Sequence, residues 1–201
     1  MKNLVISLFV LVGLSGFAHA EGDAGAGKTK AAACSGCHGA DGNSGVASFP
    51  KLAGQNVKYL LKQMGDIKSG SRVVPAMTGQ LDGKSEQDME DIAAYFSSQY
   101  PTVGAAKKEL VELGEKIYRA GSKDSGVSAC TACHSPTGKG NAMAGFPALG
   151  GQHADYIAAQ LRAFREGERT NDGDTKMMRS VAFRLTNKEI DAVASYISGL
   201  H

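Results

Sequence analysis

Two short runs of the chain combine two thiols and an imidazole at the same spacing. Both follow the pattern Cys-x-x-Cys-His, at positions 34–38 and 130–134, and together they contain every cysteine of the 201 residues. Two thiols so spaced can each add to one vinyl group of a porphyrin, while the adjacent imidazole ligates its iron. The sequence therefore predicts two covalently bound haem c groups. The predicted attachment residues are Cys34, Cys37, Cys130 and Cys133, and the predicted iron ligands are His38 and His134.

Four cysteines could instead form a zinc site, a redox-active pair or structural disulfides. A four-thiolate zinc site and disulfides in an exported chain both leave the histidine after each motif unexplained. A thioredoxin-like pair usually occurs once and follows a strand, whereas residues 28–33 favour a helix. The repeated histidine favours haem over all three alternatives.

The first 20 residues have the pattern of a secretory signal peptide. A basic start at residues 1–3, an apolar run over 4–17 and a small-x-small site at 18–20 are its three parts. The apolar run is shorter than the roughly 20 apolar residues of a membrane helix. We therefore predict cleavage near Ala20, a periplasmic location and a mature protein without a transmembrane segment, which leaves peripheral association with the membrane open.

Composition and charge are those of small cofactor-dependent domains. Aromatic residues make up 6%, tryptophan is absent and there are 26 glycines. Domains below about 100 residues often depend on a cofactor for their core, so haem would supply missing apolar bulk. Residues 21–103 hold 8 basic and 9 acidic side chains, and residues 104–201 hold 13 and 11. Such a balance gives no indication of nucleic-acid binding, but it can orient redox partners.

The two halves of the chain repeat each other. Residues 49–55 match 146–152, and the helical pattern that follows keeps this displacement of 97 residues. Residues 85–96 match 186–197 at a displacement of 101, and each final helix begins with a capping pattern. Apolar residues recur at helical steps and strand signals are nearly absent. We predict an all-α protein of two tandem domains, 21–103 and 104–201, joined by a linker at 100–104.

A second ligand on each iron would distinguish an electron carrier from an enzyme. Met64 and Met89 lie on apolar helical stripes, whereas Met77 lies in an irregular segment 39 positions after the first haem histidine. Met178 keeps the 101-residue displacement from Met77, with Met177 as the alternative. We predict Met77 and Met178 as ligands. Thioether sulfur favours ferrous iron and should raise the reduction potential relative to two histidines.

Two prolines follow the haem histidines at similar distances. Pro50 comes 12 residues after the first and Pro147 comes 13 residues after the second. A backbone carbonyl there could accept a hydrogen bond from histidine Nδ1 and fix the ring, although a rigid turn would also explain proline. The other histidines of the mature chain, His153 and His201, are expected at the surface.

Taken together, these features resemble the cytochrome c4 family across essentially the whole mature sequence. The resemblance is carried by the two Cys-x-x-Cys-His motifs, the paired Phe-Pro-x-Leu-x-Gly-Gln segments, residues 171–174 before Met178, and the ending at 196–201. It implies two class I cytochrome c domains related by a pseudo-twofold axis, haem propionates near their interface, and sulfur ligands at Met77 and Met178. It also implies a periplasmic carrier between a quinol-oxidising complex and a terminal oxidase.

Enzymatic roles are the competing hypotheses. A dihaem peroxidase or sulfur-compound oxidoreductase needs an iron open to substrate, and the sequence indicates no distal acid or base. Each half instead has a suitable methionine, so we predict an electron carrier and not an enzyme. An electron-donating subunit of a larger enzyme is compatible with the same residues.

Overall fold

The computed structural model describes residues 22–201. The predicted signal peptide lies outside the described residues. Within them the chain is helical, and β-structure is limited to two isolated antiparallel bridges, Ser122 with Val127 and Asn141 with Phe146. The all-α prediction is confirmed. No helix between residues 22 and 201 combines the length and the apolar character needed to cross a bilayer.

Equivalent helices follow one another in the two halves. The first half contains α1 (Ala24–Lys30), α2 (Ser35–His38), α3 (Val57–Lys68) and α4 (Glu86–Ser97), with 3₁₀ turns at Ala31–Cys34 and Pro75–Met77. The second contains α5 (Lys108–Ala120), α6 (Thr131–His134), α7 (Ala154–Glu166), α8 (Met177–Ala182) and α9 (Asn187–Ser198). Residues 100–107 form no helix and connect the halves. The domain boundary at 103/104 stays a prediction.

The last helix of each half begins with a complete capping box. Ser85 accepts from the backbone N–H of Asp88, and the Asp88 carboxylate accepts from the backbone N–H of Ser85. Thr186 and Glu189 make the same exchange at the start of α9. These bonds satisfy backbone donors that a helix start leaves free, so both helices begin where their sequences predict.

The first helix of each half crosses the last one at a glycine. A Cβ atom on Gly27 of α1 would lie 1.9 Å from the carbonyl oxygen of Asp91, and one on Gly114 of α5 would lie 2.3 Å from that of Ala192. Asp91 and Ala192 are related by the displacement of 101 residues. Only residues without a side chain allow the two backbones to approach so closely. The helix pairs α1/α4 and α5/α9 therefore pack in the same way in the two halves.

Each half has its own apolar core, and a cysteine of each predicted haem motif packs against it. Cys34 contacts the first core and Cys130 the second. The first core consists of Ala31, Leu60, Ile92, Ala93, Tyr95 and Phe96. The second is larger and includes Ile117, Tyr118, Ile157, Leu185, Ile190, Val193 and Ile197. The two cores confirm one helical fold around each motif.

Polar side chains join the two halves. Gln55 bonds the backbone of Ala148, and Gln152 bonds the backbone of Lys51. Gln55 and Gln152 are related by 97 residues, as are Lys51 and Ala148, so the contact repeats itself in reverse. The Lys51 ammonium also donates to the carbonyl oxygen of Gly151 across the same boundary. This reciprocity is the pattern that the pseudo-twofold relation predicts.

Candidate haem-binding sites

Each Cys-x-x-Cys-His motif occupies one turn of helix. In the first, Cys34 ends a 3₁₀ turn and Cys37 lies with His38 on α2. In the second, Cys130 directly precedes α6, which carries the second cysteine and His134. Residues three or four apart on a helix are neighbours, so the first cysteine of each motif lies beside both the second cysteine and the histidine. His38 is 8% exposed and His134 is 7% exposed, which places both rings inside the protein.

The two histidine rings are fixed in the same way. His38 Nδ1 lies 2.9 Å from the carbonyl oxygen of Pro50, and His134 Nδ1 lies 3.0 Å from that of Pro147. A carbonyl can only accept, so Nδ1 carries the proton and Nε2 is the nitrogen with a lone pair for iron. Burial lowers the pKa of both histidines, which favours the neutral ring that a metal ligand must have.

An aromatic neighbour further restrains each ring. The centroids of His38 and Phe49 are 6.4 Å apart in an edge-on arrangement, and those of His134 and Phe146 are also 6.4 Å apart. Both phenylalanines belong to the repeated Phe-Pro segment whose proline carbonyl holds Nδ1. The repeated Phe-Pro segment thus fixes the orientation of the predicted haem histidine through both its proline carbonyl and its phenylalanine ring. A rigid turn at proline is only part of its role.

The thiols do not have the properties of the alternative sites. All four cysteines are free, and residues 22–201 contain no group of three or more His, Cys, Asp or Glu side chains arranged to hold a metal ion. Burial raises the pKa of Cys34, and it raises that of Cys130 to about 11. Redox-active pairs depend on a lowered thiol pKa. Two thiols, a buried imidazole and an available Nε2 fit covalent haem in each half.

The methionines predicted as ligands lie on different local structures. Met77 is the last residue of the Pro75–Met77 turn, and Met178 is the second residue of α8; both are half-buried. Met177 is 41% exposed. Val181 of α8 packs against the second apolar core, as Cys130 does. This burial favours Met178 over Met177, while ligation at Met77 and Met178 stays a prediction. Met64 packs against the first core, as its apolar stripe predicts.

Two buried arginines form a network across the domain boundary. Arg72 and Arg169, related by 97 residues, are each 9% exposed. Each guanidinium donates to both of two glutamines and to the tyrosine of the opposite half. These acceptors are Tyr59, Gln63, Tyr156 and Gln160. The sequence patterns described above did not predict this network. Gln63 and Gln160 recur at the same place in the two otherwise apolar helical stripes, and this repetition of a polar residue could have indicated the network.

His153 is not the surface residue that we expected. It is half-buried at the start of α7, and its Nε2 lies 2.9 Å from the carbonyl oxygen of Ser44 in the first half. Docking of the two halves buries it. Its counterpart in the repeat, Asn56, also reaches across and donates to the carbonyl oxygen of Phe146 at 2.7 Å. His201 is exposed, in agreement with the prediction.

The sequence and fold of the chain match those of known haem proteins. The model of the cytochrome c family matches residues 24–99 and 111–201. Cytochrome c4 of Pseudomonas aeruginosa is 60% identical over 201 residues, which are the whole of both chains. The crystal structure of reduced recombinant cytochrome c4 from Pseudomonas stutzeri has a TM-score of 0.88 at 59% identity, covering 90% of this chain and 100% of that one.

A more distant relative has a different name. The protein called thiosulfate dehydrogenase electron acceptor, from Stutzerimonas stutzeri (strain A1501), is 37% identical over 174 residues. The match covers 85% of this chain and 80% of that protein. The similarity therefore spans both halves and both Cys-x-x-Cys-His motifs.

Proposed function

Since this chain belongs to the cytochrome c4 family of dihaem electron-transfer proteins, we propose that it carries electrons in the periplasm from a quinol-oxidising complex to a terminal oxidase. The observation that carries the proposal is the duplicated site: each half holds one buried histidine whose Nδ1 bonds a proline carbonyl. Two equivalent centres suit a relay of single electrons.

Each half contributes its own residues to one haem. Family membership confirms the prediction of two haem c groups. We assign their attachment to Cys34 and Cys37 in the first half and to Cys130 and Cys133 in the second. Haem supplies a reversible Fe(III)/Fe(II) couple when bound, and the protein contributes orientation, a tuned potential and a docking surface.

In this proposal two protein residues would hold each iron. His38 with Met77, and His134 with Met178, supply one nitrogen and one sulfur each. An iron with two protein ligands has no open position for a substrate, which supports a carrier over an enzyme. Arg72 and Arg169 place two buried positive charges at the interface between the halves. Their charge is opposite to that of haem propionates, which is compatible with propionates lying near this interface.

Methionine substitution tests this assignment. In the holoprotein, Met77→Ala and Met178→Ala should each abolish one ferric thioether charge-transfer band and open one ferrous iron to carbon monoxide. Met177→Ala is the matched control and should leave both irons closed. If Met177→Ala opened the second iron, the sulfur assignment there would be wrong. Rapid carbon monoxide binding or peroxide turnover by the unsubstituted protein would contradict the carrier.

Partner kinetics test the direction of electron flow. The purified ferric protein should be reduced by a quinol-oxidising complex with quinol present, and the ferrous protein should be re-oxidised by a terminal oxidase. Redox encounters are weak and depend on charge, so both rates should fall as salt rises. Failure of the quinol-oxidising complex to reduce either haem would refute this donor.

The more distant relative supports a second candidate donor. A protein named as the electron acceptor of thiosulfate dehydrogenase is 37% identical over both halves. The corresponding proposal is that this chain accepts electrons from a thiosulfate-oxidising enzyme. Reduction of the ferric protein by thiosulfate with such an enzyme, but not by thiosulfate alone, would support it. Equal rates with and without the enzyme would exclude it.

A further inference from the structure

The segment before Met178 is longer than its counterpart before Met77. Arg72 and Arg169 are related by 97 residues, whereas Met77 and Met178 are related by 101. Four extra residues therefore lie between the arginine and the methionine of the second half. The first half spans the interval with a short 3₁₀ turn that Pro75 begins. The second half needs another means of holding a longer loop.

Asp172 and Arg179 close that loop with an ion pair. The Arg179 backbone N–H donates to Asp172 Oδ2 at 2.9 Å, and the Arg179 Nε–H donates to Oδ1 at 2.7 Å. The guanidinium also donates to the carbonyl oxygens of Thr170 and Gly173. The Asp172 side chain is 3% exposed, so the carboxylate is held inside the protein directly beside the residue that follows Met178. Charge-assisted bonds of this kind are among the strongest in proteins.

The closed loop is strained and is anchored at one end. Lys176 has φ 49° and ψ 39°, a left-handed conformation that is unfavourable for a residue with a side chain. At the start of the loop, the Asn171 amide donates to Gln63 Oε1 at 2.9 Å and to Asp66 Oδ2 at 2.6 Å, both in the first half. A strained segment keeps its shape only when surrounding bonds hold it, and the ion pair supplies two such bonds at the residue that follows Met178.

Among residues 22–103 the structure shows no such ion pair beside Met77. At a displacement of 97 residues, Pro75 stands in the place of Asp172, and at a displacement of 101 residues, Thr78 stands in the place of Arg179. The Thr78 backbone N–H donates to the Pro75 carbonyl oxygen at 3.2 Å. A proline ring and one backbone bond thus replace a buried carboxylate and a guanidinium. The two loops hold their methionines by different physical means.

We propose that Asp172 is a positioning residue, which holds Met178 at the second iron through its ion pair with Arg179. The inference rests on the sulfur assignment under the proposed function. Dissociation of a ligand from iron requires its loop to move, so the ion pair slows exchange at the second haem. Exchange at the first haem does not depend on it.

Displacement of methionine by imidazole tests this role. The full-length dihaem protein is mixed with imidazole in the ferric state, and the two kinetic phases are assigned to the haems with Met77→Ala and Met178→Ala. Asp172→Asn should accelerate the second-haem phase by about tenfold or more, the equivalent of one charged hydrogen bond, and leave the first unchanged. Arg179→Gln should do the same. Asp174→Asn, in an exposed residue of the same loop, is the control for loss of one negative charge.

The results distinguish the positioning role of Asp172 from the assignment of Met178 as the sulfur ligand. Loss or shift of the Met178 methyl signal in the proton NMR spectrum of ferrous Asp172→Asn, with the Met77 signal retained, would support positioning. Unchanged second-haem rates in Asp172→Asn and Arg179→Gln would overturn it, as would an equal acceleration in Asp174→Asn. If Met178→Ala left the second iron closed, the sulfur assignment itself would fail, and the positioning role with it.

Discussion

Gln55 and Gln152 make the same two hydrogen bonds in opposite directions across the domain boundary. Gln55 Nε2 donates to the Ala148 carbonyl oxygen and its Oε1 accepts from the Ala148 N–H, while Gln152 makes both bonds with Lys51. All four distances are 2.9 Å. Each side-chain carboxamide thus bonds both the N–H and the C=O of a single residue in the other half. These contacts between the halves therefore involve backbone atoms of Ala148 and Lys51.

Loss of either glutamine should loosen this junction. Gln55→Ala and Gln152→Ala each remove two bonds across the boundary, so each should lower the free energy of unfolding of the holoprotein by about 1–3 kcal/mol in urea titration. Gln99→Ala is the control, because its carboxamide bonds only Tyr95 and Ser98 in the first half. Unfolding midpoints that match the unsubstituted protein would show that other contacts carry the junction.

The glycine crossing of α5 and α9 should not accept a methyl group. Gly114→Ala would put a Cβ 2.3 Å from the Ala192 carbonyl oxygen, and relief of that clash should cost about 1–3 kcal/mol of stability. Gly65→Ala on α3 is the matched control, since its added Cβ would meet nothing within 4 Å beyond the adjacent backbone of its own helix. That change should stabilise by up to about 1 kcal/mol through helix propensity. Equal thermal midpoints for the two variants would contradict the close crossing.

The first half should lose stability in acid through one lysine and two aspartates. The Lys30 ammonium bonds Asp91 and Asp88; these bonds hold the pKa of Asp91 at about 2 and that of Asp88 well below its usual range. The unfolded value is about 3.9, so this contribution is complete above that pH and is lost as pH falls through the folded pKa. The stability difference between the unsubstituted protein and Asp91→Asn should therefore shrink from pH 5 to pH 2.

Removal of the cation provides the control for this pH effect. Lys30→Met abolishes the main cause of both lowered pKa values, so a further Asp91→Asn change should show a much weaker dependence on pH. Urea midpoints at each pH provide the comparison. A difference that stayed constant from pH 5 to pH 2 in the unsubstituted background would refute the linkage.

The two interface arginines should act as a coupled pair. Arg72→Met and Arg169→Met each remove donors from Gln63 and Gln160, which the other arginine also bonds. Each single change should cost about 1–3 kcal/mol, because it removes buried charge-assisted hydrogen bonds while each glutamine keeps its bond to the other arginine. A double-mutant cycle should give a coupling energy above about 0.5 kcal/mol. Strict additivity would show that the shared glutamines do not link them.

Local sequence patterns predicted the helices that hold each haem motif but not what joins the two halves. The capping boxes of Ser85 and Thr186 act within four residues, so the sequence shows them directly. Gln160 looked like an exception in an apolar stripe because helical periodicity describes burial within one domain. The opposite half supplies its partners. His153 was misplaced for the same reason, since its acceptor is 109 residues away.

The ion pair beside Met178 was hidden for a different reason. Asp172 lies in the loop and Arg179 lies seven residues later on α8, a spacing that matches no interacting pair on a helix surface. Their contact depends on the left-handed turn at Lys176, which propensity rules disfavour for lysine. The four-residue change in displacement was visible in the sequence, and its physical consequence required coordinates.

The reciprocal bonds of Gln55 and Gln152 also limit how far such a chain can grow. A contact in which equivalent patches satisfy each other is closed, because each patch is saturated once its counterpart is in place. The link at residues 100–107 makes this pairing intramolecular and raises the effective concentration of the two patches. A third copy of the domain, added to either end, would meet no free patch. This contact can therefore join two domains of this kind and no more.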